Sequence, residues 1–302
     1  MFCSLASIAQ VGIGTNSPNA NAALDVVSTT QGILFPRMTT AQRNAISNPA
    51  EGLTIFNTDL NSMQTNIGTS SEPNWKCLGL SATGCYAKIS PTVYKDFLCH
   101  NLGADTSLDP HTPVVGLQGG YVQWGKRGPT DFVGAANDGL NGFAAAPTDS
   151  HPNDAIINQW SQTAAANGSW NSGTEAAPVK VTANDPCPTG FRVPTSAEWT
   201  GVNSNNTASR TGTFSSSVTE YGVALHYGPD INTKLLTLLA AGSRYHANGA
   251  LGGRGYNGIY WSSTGNSSNI AFAYNLYFNS SYVFSASSYG RKYGFSLRCI
   301  AE

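Results

Sequence analysis

The sequence predicts a mixed α+β chain, rich in short strands and ordered loop, divided into a small β-rich segment at residues 11–80 and a larger domain at 84–302. Three observations carry the prediction. Only 11% of the residues are charged, Lys, Glu and Leu fall below their usual shares, and Gly, Ser, Asn, Thr and Tyr are abundant, which is the composition of turns and strands rather than of amphipathic helices. Short β-branched and aromatic runs alternate with Gly, Pro and Asn, the punctuation that separates strands. Helix starts are few: Thr39 with Gln42, and Thr195 with Glu198, each have the spacing of a capping box.

Residues 1–10 read as the tail of a secretory signal. Ser7-Ile8-Ala9 sets small residues at the two positions a signal peptidase requires, so cleavage is expected after Ala9, and Cys3 falls in the removed part. Short β-rich runs follow at Val11-Gly12-Ile13-Gly14-Thr15, Ala23-Leu24-Asp25-Val26-Val27, Gly32-Ile33-Leu34-Phe35-Pro36-Arg37-Met38-Thr39, Gly52-Leu53-Thr54-Ile55-Phe56-Asn57-Thr58 and Asn74-Trp75-Lys76-Cys77, with a short helix at 41–46 behind the Thr39 cap. About seventy residues with few bulky apolar groups bury little core, so this segment needs a neighbour or an oligomer. A trimeric stem meets that need, and so does packing on the larger domain.

In the larger domain, helices are expected at 93–99 and 198–202, the second capped by Thr195. The Glu198 carboxylate is then occupied by a backbone N–H and is assigned no catalytic role. Alternation and β-branched or aromatic content predict strands at 235–245, 258–263, 271–278 and 293–300, with a polar, Tyr-rich loop at 279–293.

The stretch Asp185-Pro186-Cys187-Pro188-Thr189-Gly190-Phe191-Arg192-Val193-Pro194-Thr195-Ser196-Ala197-Glu198-Trp199 and the ending Gly294-Phe295-Ser296-Leu297-Arg298-Cys299-Ile300 resemble the hallmark segments of the Fibrobacter succinogenes major paralogous domain, a family of bacterial secreted and cell-surface proteins. Tyr121-Val122-Gln123-Trp124-Gly125-Lys126 and the run from Ile156-Ile157-Asn158-Gln159-Trp160 to Gly168-Ser169-Trp170-Asn171 follow that family's order. The resemblance covers about two-thirds of the chain, and its ordered motifs are more specific together than singly. It implies a C-type-lectin-like fold, with small helices flanking a twisted antiparallel sheet, and it makes Tyr260-Trp261-Ser262-Ser263-Thr264 framework rather than ligand site. It also implies a disulfide between Cys187 and Cys299, worth about 4–5 kcal/mol for a loop on the order of 100 residues. Cys85 with Cys99 is a second pairing, and Cys77 is left to stay free or to pair between chains. Ahead of this domain, Pro36-Arg37-Met38-Thr39 and its flanking glycines resemble the stem segments of phage-tail-fibre-like proteins that Bacteroidota place before surface domains.

The near-zero net charge of −1 leaves no electrostatic footprint for nucleic acid. No apolar run approaches the roughly 20 residues of a transmembrane helix. There is no C-x-x-C and no Cys/His spacing of a zinc site, so neither metal nor cofactor is expected. Export instead favours disulfides. Glu72-Pro73-Asn74 matches a sugar-binding triplet of calcium-dependent lectins but falls in the stem with no Trp-Asn-Asp following, and a surface turn is the better account. Formylglycine-generating enzymes, which share the implied fold, need a cysteine pair near the domain's end, and only Cys299 lies there. His100, His111, His151, His226 and His246 show no ligand or base spacing, no G-x-S-x-G occurs, and Gly252-Gly253-Arg254-Gly255 lacks a phosphate loop's setting. The chain is therefore not expected to be an enzyme.

Binding remains. The stretch from Asn269 to Tyr293 mixes Tyr, Asn, Ser and Phe as recognition surfaces do, and Tyr274, Tyr277, Asn279, Tyr282, Tyr289 and Tyr293 are the candidate ligand residues, for a glycan or a protein. The expected function is a secreted or cell-surface adhesion protein displaying this domain on a fibre-like stem, as a homotrimer in one version. A structural matrix component without specific ligand is the alternative. A further variant is a target of diversity-generating retroelements, in which template adenines are mutated and Asn codons become Ser, Tyr and others.

Overall fold

The computed structural model describes residues 10–58, 62–78, 84–128, 142–144, 160–215, 217 and 219–302. The signal-like residues 1–9 with Cys3, the motif residues 156–159 and His151 lie outside them, as does the side chain of Cys77. The architecture is strand-rich: among the described residues there are two α-helices, Thr40–Asn44 and Ser196–Asn205.

Both helices start where the capping boxes stand. Thr39 Oγ1 accepts from Gln42 N while Gln42 Oε1 accepts from Thr39 N, and Thr195 with Glu198 repeats the exchange. Glu198 does more than cap: its carboxylate also takes both outer nitrogens of Arg192, at 2.8 and 2.6 Å, in a buried bidentate pair.

In the N-terminal part, Val11–Ile13 and Leu24–Val26 pair in parallel. Arg37–Met38, Thr54–Asn57, Ser62–Asn66 and Trp75–Leu78 form a four-stranded sheet in that order, its first pairing parallel and the others antiparallel. A polar cluster ties helix to sheet, Asn57 Nδ2 donating to Thr40 Oγ1 and to Gln64 Oε1 at 3.1 and 2.8 Å. Among the described residues, none of these strands joins a sheet of the larger part. Ile55 is buried in the sheet, but other apolar side chains stay outside: Ile13 and Leu24 are 55% exposed, Ile33 57% and Leu34 75%. Glu72-Pro73-Asn74 lies in an exposed turn closed by Glu72 N to Thr69 Oγ1.

Beyond residue 84 the centre is a three-stranded antiparallel sheet of Gly258–Gly265, Phe272–Phe278 and Val283–Gly290. Side chains alternate between its faces. Tyr260, Leu276 and Phe278 join Trp199, Phe97, Leu225 and Leu238 in one core, on the side where helix Ser196–Asn205 packs across all three strands. Ile259, Trp261 and Ala273 join Trp124, Trp170 and Phe295 in the other. Four indoles are fully buried, and each N–H reaches a carbonyl: Trp124 to Ser262, Trp199 to Trp261, Trp261 to Val122, and Trp170 to both Lys126 and Asn184. Cys187–Cys299 and Cys85–Cys99 are both bonded, with Cα atoms 5.8 and 5.1 Å apart.

Four expectations need correction. The helix at 93–99 is instead the strand Tyr94–Asp96, paired with Tyr86–Lys88; β-branched and aromatic residues in an alternating run find a partner strand here that local signals do not reveal. The strand at 235–245 divides into Leu236–Leu239 and Ser243–Arg244 at Gly242, whose φ is +72° and where a Cβ would lie 2.3 Å from the Gly252 carbonyl oxygen. The strand at 293–300 is broken in two, Gly294–Phe295 pairing with Tyr121–Gln123 and Ser243–Arg244 and Ile300–Ala301 with Phe191–Arg192, because separate sheets claim its ends while Ser296 forms only an isolated bridge to Tyr260. Finally, 279–293 is not a loop: after a turn it forms the strand Val283–Gly290, whose serines read as loop because one flank of an edge strand faces water.

Candidate functional site

The hairpin of Phe272–Phe278 and Val283–Gly290 positions the candidate residues. Its turn is closed by Asn279, whose Oδ1 accepts from Ser281 N and Tyr282 N at 2.9 and 2.8 Å. Asn279 is thus occupied in shaping the tip. Tyr277 pairs with Phe284 and Ala273 with Tyr289, so Tyr277, Phe284 and Tyr289 share the face of Trp261 and Ile259. Tyr274 pairs with Ser288 on the opposite face and is separated from the rest. The structure brings Tyr277, Tyr282, Tyr289 and Tyr293 to one side and leaves Tyr274 out.

On that side the rings form a series from core to surface. Trp261 is 4.2 Å from Phe295 between centroids, Phe295 is 5.5 Å from Tyr289, and Tyr289 meets Tyr293 edge-on at 4.9 Å. Tyr293 then contacts Tyr245 at 5.6 Å and His246 at 4.9 Å. Nearer the tip, Tyr282 stacks on Phe284 at 5.8 Å, and Phe284 lies 6.2 Å from Tyr277. Tyr282, Phe284, Tyr245 and Tyr289 are exposed, while Tyr277, Tyr293 and His246 are half-buried. Burial, then neighbouring Tyr289 and Tyr245, push the Tyr293 hydroxyl above its usual pKa, so it presents a neutral donor.

Arg291 fixes the base of the hairpin. Its guanidinium lies 4.2 Å from the Trp124 ring centroid and donates to Phe272 O, Ala165 O and the Asn167 side chain. Lys292 reaches Gln162 Oε1 at 3.3 Å, so the rim beside the aromatic rings is an amide and an ammonium. Tyr245, His246 and Phe284 were missed by sequence reasoning. Phe284 had a signal, since it alternates with Tyr282. Tyr245 and His246 had none, because they arrive from the turn between Ser243–Arg244 and Leu251–Gly252.

Arg127, Lys180, His111 and His226 are already engaged. A cleft of about 750 Å³ beside the two disulfides carries Arg127 and Lys180, but Arg127 donates to Thr182 O, and Lys180 donates to the carbonyls of Cys187, Pro188 and Phe191. His111 and His226 share the Thr237 hydroxyl, each at 2.8 Å, and burial lowers His226 to about 4. Among the described residues no cluster of His, Cys, Asp and Glu is arranged to hold a metal ion.

Residues 12–88 match the family model described as a phage tail like trimerisation region. The match runs past the boundary expected at residue 80 and includes Tyr86–Lys88, whose pairing with Tyr94–Asp96 and burial of Ala87 belong to the larger part. No curated protein and no solved structure is significantly similar to the chain.

Proposed function

We propose that the chain is a secreted or cell-surface recognition protein without enzymatic activity, in which residues 11–80 gather three copies into a stem and residues 84–302, read as a C-type-lectin-like domain of the Fibrobacter family, present the aromatic hairpin face to a glycan or protein. One observation carries the reading: aromatic side chains from separate segments emerge together at one sheet edge, rooted through Phe295 on the buried Trp261. Rigid Tyr and Phe surrounded by Ser, Asn and Gln give large contact area for little lost entropy. The trimerisation-like match supports the stem, and two disulfides fit an oxidising, extracellular setting. No helix among the described residues is long and apolar enough to cross a membrane.

The test is binding of the full chain to a glycan array and to a displayed peptide library, repeated with Tyr245→Ala, Phe284→Ala and Tyr289→Ala. Each substitution should weaken binding by about 1 kcal/mol or more with little change in thermal stability. Binding that survives all three puts the site elsewhere, and no binding at all favours the structural matrix component.

A second reading, diversification by a retroelement, is favoured by where the residue types fall. Exposed Tyr282, Phe284, Ala286 and Tyr289 are all reachable from an Asn AAY codon by replacing adenines alone, as are the buried Leu276, Phe278 and Phe295, so what favours the reading is that the former share one exposed flank of the hairpin. Sequencing the locus decides it. A second copy of this segment with adenines at those codons, beside a reverse transcriptase gene, is expected; a locus without one removes the reading.

A further inference from the structure

We propose that Val283–Gly290 accepts strand addition: an extended, uncharged segment of a partner protein pairs with its free edge and lays alternate side chains on Tyr282, Phe284 and Tyr289. The inference rests on the hairpin being the recognition face and names how that face holds its partner.

The sheet order places Val283–Gly290 at an edge. Among the described residues, its backbone hydrogen bonds go to Phe272–Phe278 or close the turns at its two ends, where Asn279 N donates to Tyr282 O and Tyr293 N to Gly290 O. About half the N–H and C=O groups of such a strand point away from its sheet, a ready template for another chain. Proteins guard such edges with charge, proline or a covering element. This strand, Val-Phe-Ser-Ala-Ser-Ser-Tyr-Gly, has neither charge nor proline. Helix Ser196–Asn205 packs closer to this strand than to the other two, but from the face that carries Leu276 and Phe278, and among the described residues no backbone hydrogen bond joins it to the edge.

Two other edge strands offer less. Gly258–Gly265, of equal length, is largely buried and bridged to Gly242 and Ser296. Thr207–Thr211 is shorter and carries Arg210. Among the described residues the guard on Val283–Gly290 is a register shift opposite Asn275 and Tyr277, which leaves residues 287–290 in regular register for one end of the incoming segment, the other end passing over Phe284 and Tyr282. The partner's chemistry follows from the strand's own. With no charge to meet a charged side chain, and with exposed Tyr282, Phe284 and Tyr289 as cross-strand neighbours, aromatic and β-branched residues pair best.

The experiment selects unconstrained peptides from a random displayed library on the full chain, then synthesises one selected peptide with a single N-methyl group at each position in turn. Strand addition uses every second peptide N–H, so methylation should weaken binding about tenfold at alternate positions and little between them. Ala286→Lys, which sets a charge on an exposed position of the strand, should abolish binding while the melting temperature holds. A flat methylation scan, no selected peptide, or binding indifferent to Ala286→Lys overturns strand addition. If binding still falls with Phe284→Ala and Tyr289→Ala while the scan is flat, the recognition face stands and only the pairing fails.

Discussion

Two buried residues give the acid response opposite signs. Burial raises Asp185 from 3.8 to about 6, although the N–H groups of Cys187 and Val193 pull it down. The folded state therefore holds a proton there more tightly than the unfolded one, and lowering the pH from about 6 to 4 stabilises the fold through Asp185. Burial also lowers His226 from 6.5 to about 4. In that window the unfolded imidazole takes a proton the folded one refuses, so the same acidification destabilises the fold. Asp185→Asn removes the first effect alone, and denaturant melts between pH 6.5 and 4 should lose stability more steeply than the wild type. Parallel curves would show that the offset is absent. The candidate residues were legible at this scale only as a composition of Tyr, Phe and Asn in the last fifth of the chain, because the face each one occupies depends on pairing. Tyr274 and Tyr277 are three residues apart and point to opposite sides.

At the scale of elements, what is local was readable and what is long-range was not. Both helices were visible because a capping box is written within four residues. The disulfide Cys187–Cys299 was implied by the family resemblance, and it is present. Tyr94–Asp96 and Val283–Gly290 were misread, the first as helix and the second as loop, because a strand at a sheet margin owes its form to a neighbour rather than to its own sequence. Thr207–Thr211 and Ala224–Gly228 gave no signal strong enough to expect. The two disulfides differ in what they enclose, 112 residues of separation against 14. Replacing both cysteines by Ser should therefore cost more at Cys187–Cys299, about 4–5 kcal/mol against about 3 at Cys85–Cys99 in the chain-entropy account. Equal losses in denaturant melts would place their effect in native packing instead.

For the whole molecule, the exposed apolar side chains Ile13, Leu24, Ile33 and Leu34 belong to a segment that buries little by itself. If three copies cover them, light scattering of the full chain gives about three times the monomer mass, and Leu34→Glu, a charge at a 75% exposed site, shifts it toward monomer. A monomer at micromolar concentration for the unaltered chain counts against the stem. The covalent layout also decides how the protein behaves under tension. The aromatic hairpin lies inside the loop closed by Cys187–Cys299, and the entry at Cys85 is closed to Cys99. A pull from the stem against the last residues would run straight across both bridges. Beyond Cys85 the chain that could then extend is the run between Cys99 and Cys187, roughly 300 Å at full extension, while the hairpin, inside the closed loop, carried no load.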